Sequence, residues 1–166
     1  MVILGIDPGT ATTGYGVIKV PKGKTGKIKT LAYDCIITDP KLPSGERLKK
    51  INKEINCLIK KYQPNVLAVE SIYFFKNLKT AMPVSQAKGV ILLTAAKKKV
   101  PVYEFTPLQV KMAVAGYGKA EKKQVQKMVK LLLNLKEIPK MDDAADALGV
   151  ALCYFLKSRK VNFRLT

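Results

Sequence analysis

The sequence predicts an α/β domain built on a mixed five-stranded sheet flanked by helices. Three apolar segments rich in β-branched residues follow one another near the N-terminus, separated only by turn residues. Two further short apolar segments then alternate with stretches whose apolar residues recur at helical spacing. Successive strands favour an antiparallel meander and alternating helices favour parallel crossovers, so the sheet is mixed.

"VILGID" (2–7) reads as a buried strand, "GTATTG" (9–14) as a turn and "YGVIKV" (15–20) as a second strand. "PKGKTG" (21–26) is hairpin punctuation before a third strand at 28–37. After "DPKLPSG", the spacing of Leu48, Ile51, Ile55, Leu58, Ile59 and Tyr62 predicts a helix, with Ser44 as its N-cap. "NVLAVE" (65–70) is a fourth strand, a helix follows over 84–98, and "VYEF" (102–105) is a fifth strand. In "TPLQ", Thr106, Pro107 and Gln109 form a capping box with a first-turn proline, opening a helix that ends near Gly116. Val125, Met128, Val129, Leu132 and Leu133 mark another helix. The last helix opens in "KMDDAADALGV" (140–150), with Asp142 as its cap, and runs to about Leu156. One domain over 1–156 and a basic, disordered tail over 157–166 are expected, because 166 residues fit around one core.

Thirty Lys and Arg face 12 Asp and Glu, a formal charge of +18. Such a balance points to a polyanion, above all nucleic acid, whereas a Lys-rich solvated surface is usually matched by Glu. The chain has no His, and its three cysteines form no CxxC pair, which excludes Cys/His zinc sites. Cys35, Cys57 and Cys153 read as reduced core thiols. No apolar run reaches the ~20 residues of a membrane span, and the N-terminus lacks the pattern of a signal peptide, so a cytoplasmic protein is expected.

Against this basic background the placement of acid is informative. Asp7 and Glu70 each end an apolar strand, where lost solvation costs several kcal/mol unless the carboxylate is paired or binds metal. Either alone reads equally as a solvent-facing strand end or a cap acceptor. Asp143 and Asp146, three apart among alanines, share one helical face. First-turn placement explains one Asp, not both. The small alanines would let that helix pack close to the sheet. If it lies near the ends of strands one and four, four carboxylates meet, and all-oxygen ligands suit Mg²⁺ or Mn²⁺. Two such ions would serve phosphodiester hydrolysis.

"GIDPGTATTGYGV" (5–17), "AVE" (68–70), "QVK" (109–111), "AEKKQVQ" (120–126) and "DAADALGVAL" (143–152) together resemble the RuvC-type Holliday junction resolvases of bacteria. The likeness runs in order over about residues 1–156. It implies a ribonuclease H-like fold and a homodimer that symmetrically nicks two opposed strands of a four-way DNA junction, using Mg²⁺. By position it makes Asp7, Glu70, Asp143 and Asp146 the catalytic, metal-binding acids. It also makes Lys111 and Lys122 the basic residues that bind junction DNA, Lys122 supporting catalysis. In "SIYFFKN" (71–77) it points to Tyr73 or Phe74 as the aromatic at the crossover, with Phe75 a core plug or dimer contact. Residues of about 78–95 are implied to face a second subunit, and a branch-migration helicase complex is the implied partner.

Three rival readings share some of these features. The turn "DPGTATTG" also resembles that of sugar-kinase and actin-like ATPases, although those are longer and two-domain. An architectural DNA binder would explain the charge but not four acids where phosphates must approach. A same-fold nuclease acting on RNA or other branched DNA differs least from the main reading.

Overall fold

A computed structural model of the chain describes residues 1–21, 26–71 and 78–163, the side chains of 78–80 and 160–163 excepted. Among the described residues, β1 (Val2–Asp7), β2 (Thr12–Lys19), β3 (Lys29–Ile37), β4 (Val66–Glu70) and β5 (Val102–Phe105) form one sheet in the order β3-β2-β1-β4-β5. The first three strands are an antiparallel meander, and β1, β4 and β5 run parallel, giving the expected mixed sheet. Helices α1 (Ser44–Tyr62), α2 (Leu78–Lys97), α3 (Pro107–Ala115), α4 (Lys122–Leu133) and α5 (Asp142–Phe163) cover its two faces.

Strand alternation divides the core into two. Leu4, Ile6, Leu67 and Val69 join Ile51, Ile55 and Ile59 of α1 and Ala87 and Ile91 of α2 in one cluster. Ile3, Val66 and Ala68 join α3, α4 and α5 in the other. Successive side chains of a strand point to opposite faces. Ile3, Gly5 and Asp7 of β1, and Val66, Ala68 and Glu70 of β4, therefore share the face covered by α5.

That helix lies against the sheet with no space to spare. A Cβ on Gly5 would stand 2.1 Å from the Ala147 carbonyl oxygen, and one on Gly14 2.0 Å from that of Asp143. Ala144, Ala147 and Ala151 supply the small surface on the helix side, all nearly inaccessible. The alanines were legible as a close-packing face, and the glycines of β1 and β2 complete it.

Several local expectations give way. β2 begins at Thr12, inside the expected turn. Pro43 holds the N-cap position of α1, and Ser44 is its first residue without a capping bond. α2 runs from Leu78 and carries Pro83 inside it, one bond of its ladder forgone, although in sequence that proline reads as a boundary. α5 continues to Phe163, past the expected end at Leu156. Nothing in that stretch breaks a helix, and the Arg159 guanidinium stacks 4.8 Å from the Phe155 ring while Lys157 lies 5.5 Å from that of Phe105.

The cysteine expectation holds only for buried Cys153. Cys35 is half-buried on the edge strand β3, and Cys57 is exposed, since Ile55 and Ile59 turn the opposite side of α1 to the core.

Candidate active site

Asp7 and Glu70 stand side by side at the C-terminal ends of parallel neighbours, because Ile6 registers with Val69. Open α/β sheets place their chemistry at this end. Thr13 Oγ1 donates to the Gly9 carbonyl (2.5 Å), holding the turn that follows Asp7. Thr10 Oγ1 donates to the Pro83 carbonyl (2.6 Å), tying the same turn to α2.

The two carboxyls are close enough to share a proton. Burial, then the charges of Glu70, Asp146 and Asp143, push Asp7 up to about 8. Burial, then the charge of Asp146, raises Glu70 to about 7 against the pull of its bond with Asp7 and of Lys122 and Lys111. The contact of α5 with Gly14 brings Asp143 to β2 directly opposite Asp7, which registers with Gly14. Asp146 follows one turn later on the helix. Burial raises its pKa, and the hydrogen bond and charge of Lys122 oppose that rise.

Lys122, the first residue of α4, lies 3.0 Å from Asp146 and 3.2 Å from Asp142. Burial works to lower its pKa, but its bonds and charge contacts with Asp146 and Asp142 hold it above the usual lysine value. Lys111 comes from α3, whose capping box forms as expected between Thr106 and Gln109. Glu70, Lys111, Lys122 and Asp146 line one cavity of about 230 Å³ with Pro107, Val110 and Val125. A larger groove of about 1250 Å³ lies between β3 and the C-terminal turns of α4 and α5. It holds none of these residues and sits toward the other end of the sheet, so its size says nothing of the chemistry.

The fold thus gathers Asp7, Glu70, Asp143, Asp146, Lys111 and Lys122. Tyr73, Phe74 and Phe75 lie outside the described residues. Asp142 does not cap α5: it occupies the first turn, and its carboxylate accepts a hydrogen bond from Gln126 Nε2 at 2.8 Å. That bond and Lys122 lower its pKa. Its partners lie on another helix, beyond the reach of a local sequence signal. A further pair missed by sequence reading joins Lys88 of α2 to Glu104 of β5, with Ser71 Oγ donating to the same carboxylate at 3.4 Å.

Among the described residues no three carboxylates form a ready-made ligand set. The donor chemistry nonetheless fits a hard cation. Burial and mutual repulsion raise the pKa values of Asp7 and Glu70, and the Lys122 ammonium pairs with Asp146. Oxygen donors under this strain favour Mg²⁺-like ions.

Comparison with known proteins decides the family. The family model described as crossover junction endodeoxyribonuclease RuvC matches residues 3–154. The chain belongs to the RuvC family.

RuvC from Desulforamulus reducens is 55% identical over 154 residues, covering 93% of each chain. That of Syntrophomonas wolfei is 50% identical over 163 residues, 98% of this chain and 93% of the relative. The Thermus thermophilus RuvC structure superposes with a TM-score of 0.89 at 37% identity, covering 96% of both chains. The structure of T. thermophilus RuvC in complex with Holliday junction substrate gives 0.90 at 38% identity, with the same coverage. The yeast mitochondrial resolvase Ydc2, at 14% identity and a TM-score of 0.69, shares the fold. These matches establish the ribonuclease H-like architecture, and membership of the RuvC family implies an endodeoxyribonuclease that depends on divalent metal. Among the described residues, no helix is long and apolar enough to cross a membrane.

Proposed function

We propose that this chain resolves Holliday junctions in DNA recombination and repair, by metal-dependent, symmetric nicking of two opposed strands. The observation that carries the reading is the convergence of Asp7, Glu70, Asp143 and Asp146 at one sheet end of a +18 chain. A family relative is solved with a Holliday junction substrate, which supports a four-way junction as the substrate here.

In this reading Asp7, Glu70, Asp143 and Asp146 hold Mg²⁺, two ions per subunit, with Mn²⁺ able to substitute. Bound metal would activate the attacking water and stabilise the leaving oxygen. The chain's own part is to hold the scissile phosphate and the carboxylates in register. Lys111 and Lys122 flank the cavity that Glu70 and Asp146 line, and they supply positive charge to a phosphate seated there. Tyr73 or Phe74 remains the proposed stacking residue at the crossover. Coupling to a branch-migration helicase rests on the resemblance alone, and a cytoplasmic location follows from the DNA substrate.

Symmetric nicking calls for two active sites, hence a homodimer. Along α2, Met82, Gln86, Gly89 and Leu93 form an exposed stripe at coiled-coil spacing. Met82 is 68% exposed and Leu93 53%, and a Cβ on Gly89 would meet nothing within 4 Å. An exposed helical stripe that ends in Met82 and Leu93 and carries a glycine between them suits close approach of a second copy.

The deciding experiment incubates wild type and Asp146→Asn with synthetic four-way junctions, duplexes and single strands, with and without Mg²⁺. Paired nicks at the junction only, dependent on Mg²⁺ and reduced about 100-fold or more in the variant while binding persists, are expected. Junction binding without cutting by the wild type in Mg²⁺ or Mn²⁺ would refute the enzyme reading, and ATP turnover would favour a nucleotide-binding one.

A further inference from the structure

We propose that Asp142 is a positioning residue that holds Lys122 at the rim of the cavity, so that a divalent cation and Lys122 need not compete for Asp146. This rests on the metal-binding reading above and concerns a residue that reading leaves without a role.

Four side chains from two helices form a chain of contacts, Gln126 to Asp142 to Lys122 to Asp146. On α4, Lys122 and Gln126 are four residues apart, and on α5, Asp142 and Asp146 are likewise, so each pair shares one helical face. Lys122 Nζ stands 3.0 Å from Asp146 Oδ2 and 3.2 Å from Asp142 Oδ2. Gln126 Nε2 donates to the other oxygen, Asp142 Oδ1, at 2.8 Å. Gln126 is only 8% exposed, which is uncommon for an amide and fixes the carboxylate it holds. Asp142 is thus oriented from the interior with one oxygen committed to Lys122, yet it does not line the cavity that Asp146, Glu70 and Lys122 line.

The energetic consequence follows from charge. A cation entering at Asp146 meets the ammonium already bound there, and two positive charges on one carboxylate repel. With Asp142 present, Lys122 has a second carboxylate one helical turn away and leaves Asp146 without losing its counter-ion. With a neutral residue at 142, its attraction is spent wholly on Asp146 and opposes the metal. The Asp142 side chain is 61% exposed, so solvent screening keeps this effect modest.

A double-mutant cycle on metal affinity tests this without reference to turnover. Mn²⁺ binding to the full chain is titrated by electron paramagnetic resonance of the free ion for wild type, Asp142→Asn, Lys122→Met and the double variant. Circular dichroism checks that each is folded. Asn preserves an acceptor for Gln126 while removing the charge. Asp142→Asn should weaken Mn²⁺ binding about 2- to 5-fold when Lys122 is present and leave it unchanged in the Lys122→Met background. Raising Mn²⁺ should then restore junction cleavage by Asp142→Asn. Equal weakening in both backgrounds would mean that Asp142 acts through its field alone and would overturn the proposal. So would unchanged or tighter binding, or a cleavage defect that persists at saturating Mn²⁺. Failure of wild type itself to bind Mn²⁺ would instead bring down the metal reading on which the proposal stands.

Discussion

Asp7 ends an apolar strand, and burial and three other carboxylates raise its pKa, so its cost to the fold depends on pH. Its folded-state pKa, pushed from the ordinary 3.8 up to about 8, means that the native chain keeps a proton the unfolded chain has released. Folding therefore takes up a proton between about pH 4 and 8, and stability from this group falls as pH rises through that window. In chelator, Asp7→Asn should melt like wild type near pH 4 and progressively above it toward pH 8, by calorimetry. A gap independent of pH would contradict the account. Added Mg²⁺ should close that gap at pH 8 by raising the wild-type melting temperature, since binding to the native state stabilises it. Asp7 and Glu70 were legible as candidate ligands because carboxylates rarely end buried strands unpaired. Asp142 was misread as a cap, because its true partners, Gln126 and Lys122, belong to another helix.

At the scale of elements, the decisive contact is α5 on β1 and β2. Gly5→Ala puts a methyl within 2.1 Å of the Ala147 carbonyl, and backbone cannot yield there without moving the helix. Such overpacking should cost about 1–3 kcal/mol in denaturant melts. Because Asp143 and Asp146 ride on the same helix, junction cleavage should fall by about 100-fold while junction binding changes little. Unaltered cleavage by a folded Gly5→Ala protein would show that the close approach does not set the site. Helical spacing revealed α1 and α4, and the Thr106–Gln109 signature located the start of α3. The start of α2 stayed hidden behind Pro83, and the end of α5 behind a basic run that looked aperiodic. In the fold, Phe105 and Phe155 give that run something to lie on.

The whole molecule combines a formal charge of +18 with a group of carboxylates gathered at one end of the sheet. Junction affinity should fall steeply with salt, as log–log slopes of fluorescence anisotropy titrations would show, and a flat dependence would refute phosphate-dominated binding. The proposed dimer makes a separate prediction. Met82→Glu with Leu93→Glu should yield monomers by light scattering and abolish paired nicking, without the loss of melting temperature expected from a core change. A variant that remains dimeric would move the interface away from α2.

Composition, strand alternation and helical spacing were sufficient to predict a basic α/β protein with a mixed sheet and four candidate metal-binding acids. These properties are local or additive: charge is a sum, and burial patterns repeat every two or 3.6 residues. The tertiary structure alone decided that Asp7 and Glu70 share the face on which α5 lies, that Gly5 and Gly14 let it come that close, and that Asp142 pairs with Lys122. Those relations join residues far apart in the chain, and only packing determines which of many possible neighbours they meet.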